Sequence, residues 1–220
     1  MNYKRITLLA VHYGSGKTNV AVNMAFDLRK RTGNVVIADL DIVNPYFRTR
    51  DSEKELKEAD IRLICSNYAN TNLDVPAMPQ EMYAITDDQS IHAVIDVGGD
   101  DRGALALGRL SRMILEENDY DLFLVVNRFR PLTPDPDSAV SVMKEVQEAA
   151  RLPFTGIVHN SNLGAETTAD DVRSSRSYAE EIAEKTGLPL VLTAVDERLF
   201  GELSGEIPDL FPLHLQTRPV

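Results

Sequence analysis

Val11-His12-Tyr13-Gly14-Ser15-Gly16-Lys17-Thr18 follows directly on the apolar run Ile6-Thr7-Leu8-Leu9-Ala10. A strand that runs into a glycine-rich turn ending in Gly-Lys-Thr, and then into a helix, has the order of a phosphate-binding loop. Each residue type has a reason to be there. Gly14 and Gly16 let the backbone wrap closely, so that several N–H groups point at one anion. The following helix adds the positive end of its dipole. Lys17 reaches β- and γ-phosphates, and the Thr18 hydroxyl is a ligand for Mg²⁺. Gly14, Ser15, Gly16, Lys17, Thr18 and Asn19 are therefore the candidate nucleotide contacts. Val11 stands where the usual pattern has glycine. A plain glycine turn with a solvated Lys17 is the competing reading, and the strand–turn–helix order argues against it.

Nucleotide chemistry also needs carboxylates near the metal and a group to orient water. Two segments can supply them. In Val35-Val36-Ile37-Ala38-Asp39-Leu40-Asp41, a strand ends in acids two apart, so both point the same way if extended geometry persists. In Ala93-Val94-Ile95-Asp96-Val97-Gly98-Gly99, an apolar strand ends in Asp and then a glycine pair, which permits close approach to a γ-phosphate. Either segment alone reads as a strand-end turn. Two in this order behind a phosphate loop favour a metal site.

The elements that must position these residues alternate. Strands are expected at Arg5–Val11, Asn34–Asp39, Ile61–Ser66, His92–Asp96, Asp121–Asn127, Phe154–Asn160 and Leu188–Thr193. Most are continuous apolar runs, as in strands buried on both faces of a parallel sheet. Val20, Met24 and Leu28 mark a helix after the phosphate loop. Ala104, Leu107, Leu110 and Ile114 mark a second, Ala139, Val142 and Val146 a third, and Val172, Ala179 and Ile182 a fourth. Asp137 and Thr168 are candidate N-caps, and Gly187-Leu188-Pro189 is a helix stop. The pattern predicts an α/β fold: a doubly wound, mainly parallel sheet of about seven strands with helices on both faces. Residues 1–203 would form one nucleotide-binding domain. Residues 204–220, with Pro208, Pro212 and Pro219, are expected to be a tail of little regular structure. The Asn- and Pro-rich stretch Asn67–Pro79 reads as a long loop at the carboxyl edge of the sheet, suited to a substrate or partner.

Composition excludes several functions. The 220 residues carry a formal charge of −11, which argues against a broad nucleic-acid surface. A single cysteine, Cys65, rules out an intrachain disulfide and a CxxC metal or iron–sulfur site. No run of about 18 apolar residues and no signal-peptide core are present, so a cytoplasmic protein without a membrane span is expected. His92, His159 and His214 are scattered, and His159 reads as a strand side chain packed beside the sheet.

Gly14-Ser15-Gly16-Lys17-Thr18, Asp39-Leu40-Asp41 with Asn44, and Asp96-Val97-Gly98-Gly99 together resemble the ParA/MinD-type P-loop ATPases of the CobQ/CobB/MinD/ParA nucleotide-binding family. The first loop glycine is often absent in that family. The resemblance implies that Thr18 binds Mg²⁺, that Asp39 and Asp96 hold metal-bound waters, and that Asp41 positions the attacking water. It also implies that the strand carrying Asp96 lies beside the phosphate-loop strand, with Asp96 close to Lys17 and Thr18. In such proteins an Asn at a later strand end bonds the adenine edge, which implies Asn160, with Asn127 as rival. An amide suits the task because it has both donor and acceptor. The loop Thr193-Ala194-Val195-Asp196 would close over the base. The guanine-reading Asn-Lys-x-Asp is missing, which favours ATP over GTP.

The chain departs from the family at His12, where a lysine reaches across a dimer to the partner's phosphates, and at Tyr13 where glycine is usual. Imidazole is shorter and mostly neutral at pH 7, so a homodimer is allowed but not the usual ATP sandwich. A basic membrane-binding helix at the C-terminus is also lacking. The expectation is a Mg²⁺-dependent ATP-binding protein with slow ATPase activity. It would act as a nucleotide switch or an ATP-driven handler of a protein partner. The alternative is an ATP-dependent small-molecule ligase or kinase resembling dethiobiotin synthetase.

Overall fold

A computed structural model describes residues 1–11, 14–40, 52–65, 79–98 and 101–215, with the side chains of residues 101 and 102 excepted. His12, Tyr13, Asp41, Asn44, Gly99 and nearly all of Asn67–Pro79 lie outside the described residues.

Eight strands form one sheet in the order β3-β2-β4-β1-β5-β6-β7-β8. They are β1 (Ile6–Ala10), β2 (Val35–Leu40), β3 (Arg62–Cys65), β4 (His92–Val97), β5 (Tyr120–Val126), β6 (Gly156–His159), β7 (Leu190–Asp196) and β8 (Leu210–Leu213). Every pairing is parallel. β1, β2 and β6 are buried along their whole length, and β4 and β5 at all but one residue each. That is why they read in the sequence as unbroken apolar runs rather than alternating ones.

The helices are α1 (Lys17–Arg29), α2 (Glu53–Glu58), α3 (Tyr83–Asp87), α4 (Asp101–Leu107), α5 (Ser111–Glu117), α6 (Pro136–Ala150), α7 (Ala169–Thr186) and α8 (Glu197–Leu203). After β1 the chain crosses to one side of the sheet, and after β4 it returns past β1 to β5. The carboxyl end of β1 is therefore the switch point, where open α/β sheets bind ligands.

Four expectations need correction. The helix marked by Ala104 to Ile114 is two helices. Arg109 N donates to Ala106 O and Leu110 N to Leu107 O, a tightening that ends α4, and Ser111 Oγ then bonds Gly108 O to start α5. Glycine suits position 108, because a Cβ would lie 3.0 Å from the Ala149 carbonyl of α6. The cap of α6 is Asp135, not Asp137: its carboxylate accepts Ser138 N at 2.8 Å, and Pro136 takes the first helical position, where no N–H is needed. Thr193–Asp196 is the end of β7, not a loop.

The fourth correction concerns the tail. The stretch from residue 204 contains β8, an eighth strand that pairs Pro212 with Val195. Proline is tolerated because β8 is an edge strand and needs hydrogen bonds on one side only. Ile207 before the strand and Leu213 within it are buried. Asn23 of α1 holds the following residue, accepting from His214 N at 2.8 Å and donating to His214 O at 2.9 Å. Thr168 caps α7 as expected, and Gly187 ends it at φ 71°.

Candidate nucleotide-binding site

Gly16 is the N-cap of α1 and sits at φ 84°, and as a glycine it offers no capping side chain of its own. Only glycine adopts that conformation without strain. The first N–H groups of a helix are the ones that receive an anion, and here they belong to the turn that opens α1. Gly14 is also left-handed, at φ 79°. Lys17 and Thr18 open the helix and are both buried. Val20, Ala21, Met24 and Ala25 press α1 against the sheet, which fixes where Lys17 and Thr18 stand.

Thr18 Oγ1 donates to Asp96 Oδ2 at 2.6 Å. Asp96 is 1% exposed, in β4 directly beside Leu9 of β1. On its other side it is in register with Asp39 of β2, itself buried. Registered residues of neighbouring strands face the same side of the sheet. Asp96 thus stands between Thr18 and Asp39, and its closeness to Thr18 is what the family resemblance implied. The hydroxyl proton of Thr18 is taken by a carboxylate, which leaves its lone pairs for a cation. An oxygen-only set with one or two carboxylates fits Mg²⁺, which keeps several waters and takes its remaining ligands from phosphate. Among the described residues no group of three His, Cys, Asp or Glu could hold a metal ion by itself.

Helix α4 approaches the end of β4 closely. A Cβ on Gly103 would lie 2.7 Å from Gly98 N. The helix therefore packs directly on Gly98, the glycine that follows β4.

Asn160 follows β6 and is 1% exposed. Its Nδ2 donates to the Ser15 carbonyl at 2.7 Å. A Cβ on Gly16 would meet that same nitrogen at 2.4 Å, so the second loop glycine is demanded by packing as well as by φ. Because the Ser15 carbonyl can only accept, the amide orientation is determined, and Oδ1 points elsewhere. That oxygen is buried with no hydrogen-bond partner among the described residues. Asn127 behaves as a strand-end cap. Its Oδ1 accepts Phe129 N at 3.0 Å and Asn162 N at 3.3 Å, and its Nδ2 donates to Asn162 O at 3.3 Å.

Asp196 is engaged differently from the expectation. Its carboxylate caps α8 by accepting Arg198 N at 3.0 Å and pairs with Arg198 Nε at 2.7 Å. Arg198 also donates to the carbonyls of Ala165 and Thr167. Asp196 therefore braces the segment after β6. Between Asn160, Thr167, Val195 and Asp196 lies a cavity of about 10 Å³, room for a water but not for a purine. Asn19 lies one residue into α1 beyond Thr18 and is half-buried, with its carbonyl accepting from Asn23 Nδ2 at 2.8 Å.

His159 is fully buried, with Nε2 3.1 Å from Ser175 Oγ. Burial, with a smaller contribution from Arg176, pushes its pKa down to about 4. It is a neutral packing residue of the sheet.

The parallel sheet, the strand-to-helix phosphate loop at the switch point and the Thr18–Asp96 pair define a P-loop nucleotide-binding protein. The chain belongs to the CobQ/CobB/MinD/ParA nucleotide binding domain family, whose model matches residues 6–172. No curated protein matches it. Among solved structures it is similar to FtsY from Mycoplasma mycoides, at 19% identity and a TM-score of 0.59, over 86% of this chain and 59% of that one. It is also similar to cell division protein FtsY from Thermotoga maritima, at 17% identity and a TM-score of 0.59, over 87% and 62%. A third is the signal recognition particle 54 kDa protein from Aeropyrum pernix K1 in complex with GDP, at 16% identity and a TM-score of 0.53, over 87% and 41%. The chain thus spans less than two thirds of the length of these proteins. At such identities the likeness is one of fold. Among the described residues no helix is long and apolar enough to cross a membrane.

Proposed function

We propose that this protein binds ATP with Mg²⁺, hydrolyses it slowly, and serves as a nucleotide switch or an ATP-driven handler of a protein partner in the cytoplasm. The observation that carries the reading is the 2.6 Å bond from Thr18 to Asp96 beside the buried Lys17. Lys17 and the N–H groups of α1 bind phosphate. Thr18, with Asp39 and Asp96 behind it, would hold Mg²⁺ through oxygen. When bound, that ion neutralises charge on the phosphate oxygens. Asp41, by family resemblance, would accept a hydrogen bond from the attacking water.

The choice of ATP rests on two features. Asn-Lys-x-Asp is missing from the sequence. Asn160 turns an acceptor, Oδ1, away from the loop. Adenine presents an amino donor at its six-position, whereas guanine presents a carbonyl that would oppose this oxygen. Base entry requires the 10 Å³ cavity to open. A protein partner, rather than nucleic acid, is supported by the charge of −11.

Calorimetry with ATP and Mg²⁺ tests the site. Lys17→Ala should remove most of the affinity, because it deletes a charge-assisted contact to phosphate in a partly dehydrated pocket. Asp41→Ala should bind ATP and hardly turn it over. Light scattering of Asp41→Ala should show no doubling of mass when ATP is added, since His12 is a poor substitute for a cross-subunit lysine. Unchanged affinity in Lys17→Ala would overturn the phosphate-loop reading.

A further inference from the structure

Arg130 lies in the turn after β5. Its N–H donates to the Asn127 carbonyl at 3.3 Å, and its carbonyl accepts Thr133 N at 3.2 Å. Asn127 clamps the start of this turn through Phe129 N, and Tyr178 Oη donates to Thr133 O at 2.9 Å at its far end. The turn is thus fixed at both ends, and it delivers the arginine onto the phosphate loop. A Cβ built on Gly14 would lie 3.5 Å from Arg130 Cδ and Nε and 3.6 Å from Cζ. A Cβ at position 14 would be in van der Waals contact with the guanidinium.

The electrostatic setting of this arginine is unusual for the chain. Arg5 is buried but pairs with Glu117. Arg173 meets Asp170, Glu202 and Glu206, and Arg198 meets Asp196. Arg130 forms no ion pair among the described residues, and its Nε is buried without a hydrogen-bond partner. Burial pushes its pKa below the usual arginine value, and among the described residues no carboxylate offsets it. A guanidinium still carries its charge at neutral pH. A cation held partly out of water without a counter-ion lowers stability, so its retention at this place calls for an anion that arrives with a ligand. A planar fork of N–H donors matches phosphate oxygens.

We propose that Arg130 is a phosphate-binding residue of the nucleotide site, a second cation supplied from the same chain that meets the phosphate chain of the bound nucleotide across Gly14. This rests on the phosphate-loop reading and adds to Lys17 a contact from the opposite side of the loop's sequence, the end of β5. It makes the site's charge independent of a neighbouring subunit.

The test is calorimetric titration with ATP and with GTP, each with Mg²⁺, on the parent protein and on Arg130→Met, Arg130→Lys and Lys17→Ala. Melting curves with and without nucleotide accompany it. Arg130→Met keeps a long apolar stem and removes the charge. It should weaken the preferred nucleotide about ten- to a hundredfold. Its ligand-free melting point should be no lower than the parent's, because an uncompensated charge has been removed. Arg130→Lys should bind several-fold more weakly than the parent, and it decides the matter if Arg130→Met does not fold. Parent-like affinity in the Arg130 variants, with affinity lost in Lys17→Ala, overturns the role of Arg130 and leaves the phosphate loop standing. Parent-like affinity in Lys17→Ala overturns both. A ligand-free melting point well below the parent's, with an undiminished nucleotide-induced rise, makes Arg130 a structural brace and overturns the proposal.

Discussion

Asn160 donates from Nδ2 to the Ser15 carbonyl at 2.7 Å, a bond between residues 145 positions apart. It joins the end of β6 to the middle of the phosphate loop. The same nitrogen occupies the space where a Gly16 side chain would be, so one amide both bonds and packs the loop. The proposed base contact and the phosphate contact are thereby mechanically joined.

Asn160→Ala should consequently have two effects. Loss of a buried hydrogen bond should cost about 1–3 kcal/mol of stability, and the preference for ATP over GTP should shrink. Asn127→Ala should destabilise as well, because it frees Phe129 N and Asn162 N, but should leave the nucleotide preference closer to the parent's. Competition binding of both nucleotides, beside urea denaturation, separates the two. A larger loss of preference at Asn127 would move the base site to the end of β5.

Gly16→Ala should be more severe than an ordinary glycine-to-alanine change. The left-handed φ costs an L-residue about 1–2 kcal/mol, and the new methyl would meet Asn160 Nδ2 at 2.4 Å. The expected outcome is a lowered melting point and the loss of nucleotide-induced stabilisation. The companion change Gly33→Ala, with nothing within 4 Å of the added Cβ, should leave nucleotide binding intact.

Thr18→Ala and Asp96→Asn should be non-additive, since the two side chains share one hydrogen bond. Each should weaken ATP binding in the presence of Mg²⁺. Thr18→Ala should bind like the parent when the metal is chelated. A Thr18→Ala variant with unaltered Mg²⁺ dependence would move the metal away from the hydroxyl.

Acid should destabilise the protein through His159. Its folded pKa of about 4 lies below the ordinary histidine value of 6.5. The unfolded chain therefore binds a proton between those values that the folded chain does not. Stability from this residue is full above pH 6.5 and is lost as the pH falls towards 4, by roughly 3 kcal/mol. Denaturation midpoints measured across that window should fall less steeply in His159→Gln than in the parent.

Residues close in sequence were the legible ones. Thr168 caps α7 and Gly187 ends it because capping is decided within four residues. Asp135, rather than Asp137, caps α6 because Pro136 admits the helix one step earlier, a detail that apolar spacing does not register. Strand β8 was missed because Pro212 reads as a breaker. It is tolerated only at the sheet edge, and the sequence does not say which strand is the edge.

By itself the sequence determined the alternating α/β order, the strand-to-helix phosphate loop and the acids at the ends of β2 and β4. These follow from apolar run length and from spacings of a few residues, which local sterics convert directly into geometry. The tertiary structure alone decided that Asn160 is bonded to Ser15, that Arg130 lies over Gly14, and that Asp196 is committed to Arg198. Those contacts depend on β5 and β6 lying in succession beside β1 and on β7 following β6. Strand order is set by how the whole set of apolar faces packs into one sheet, and no short stretch of sequence contains that information.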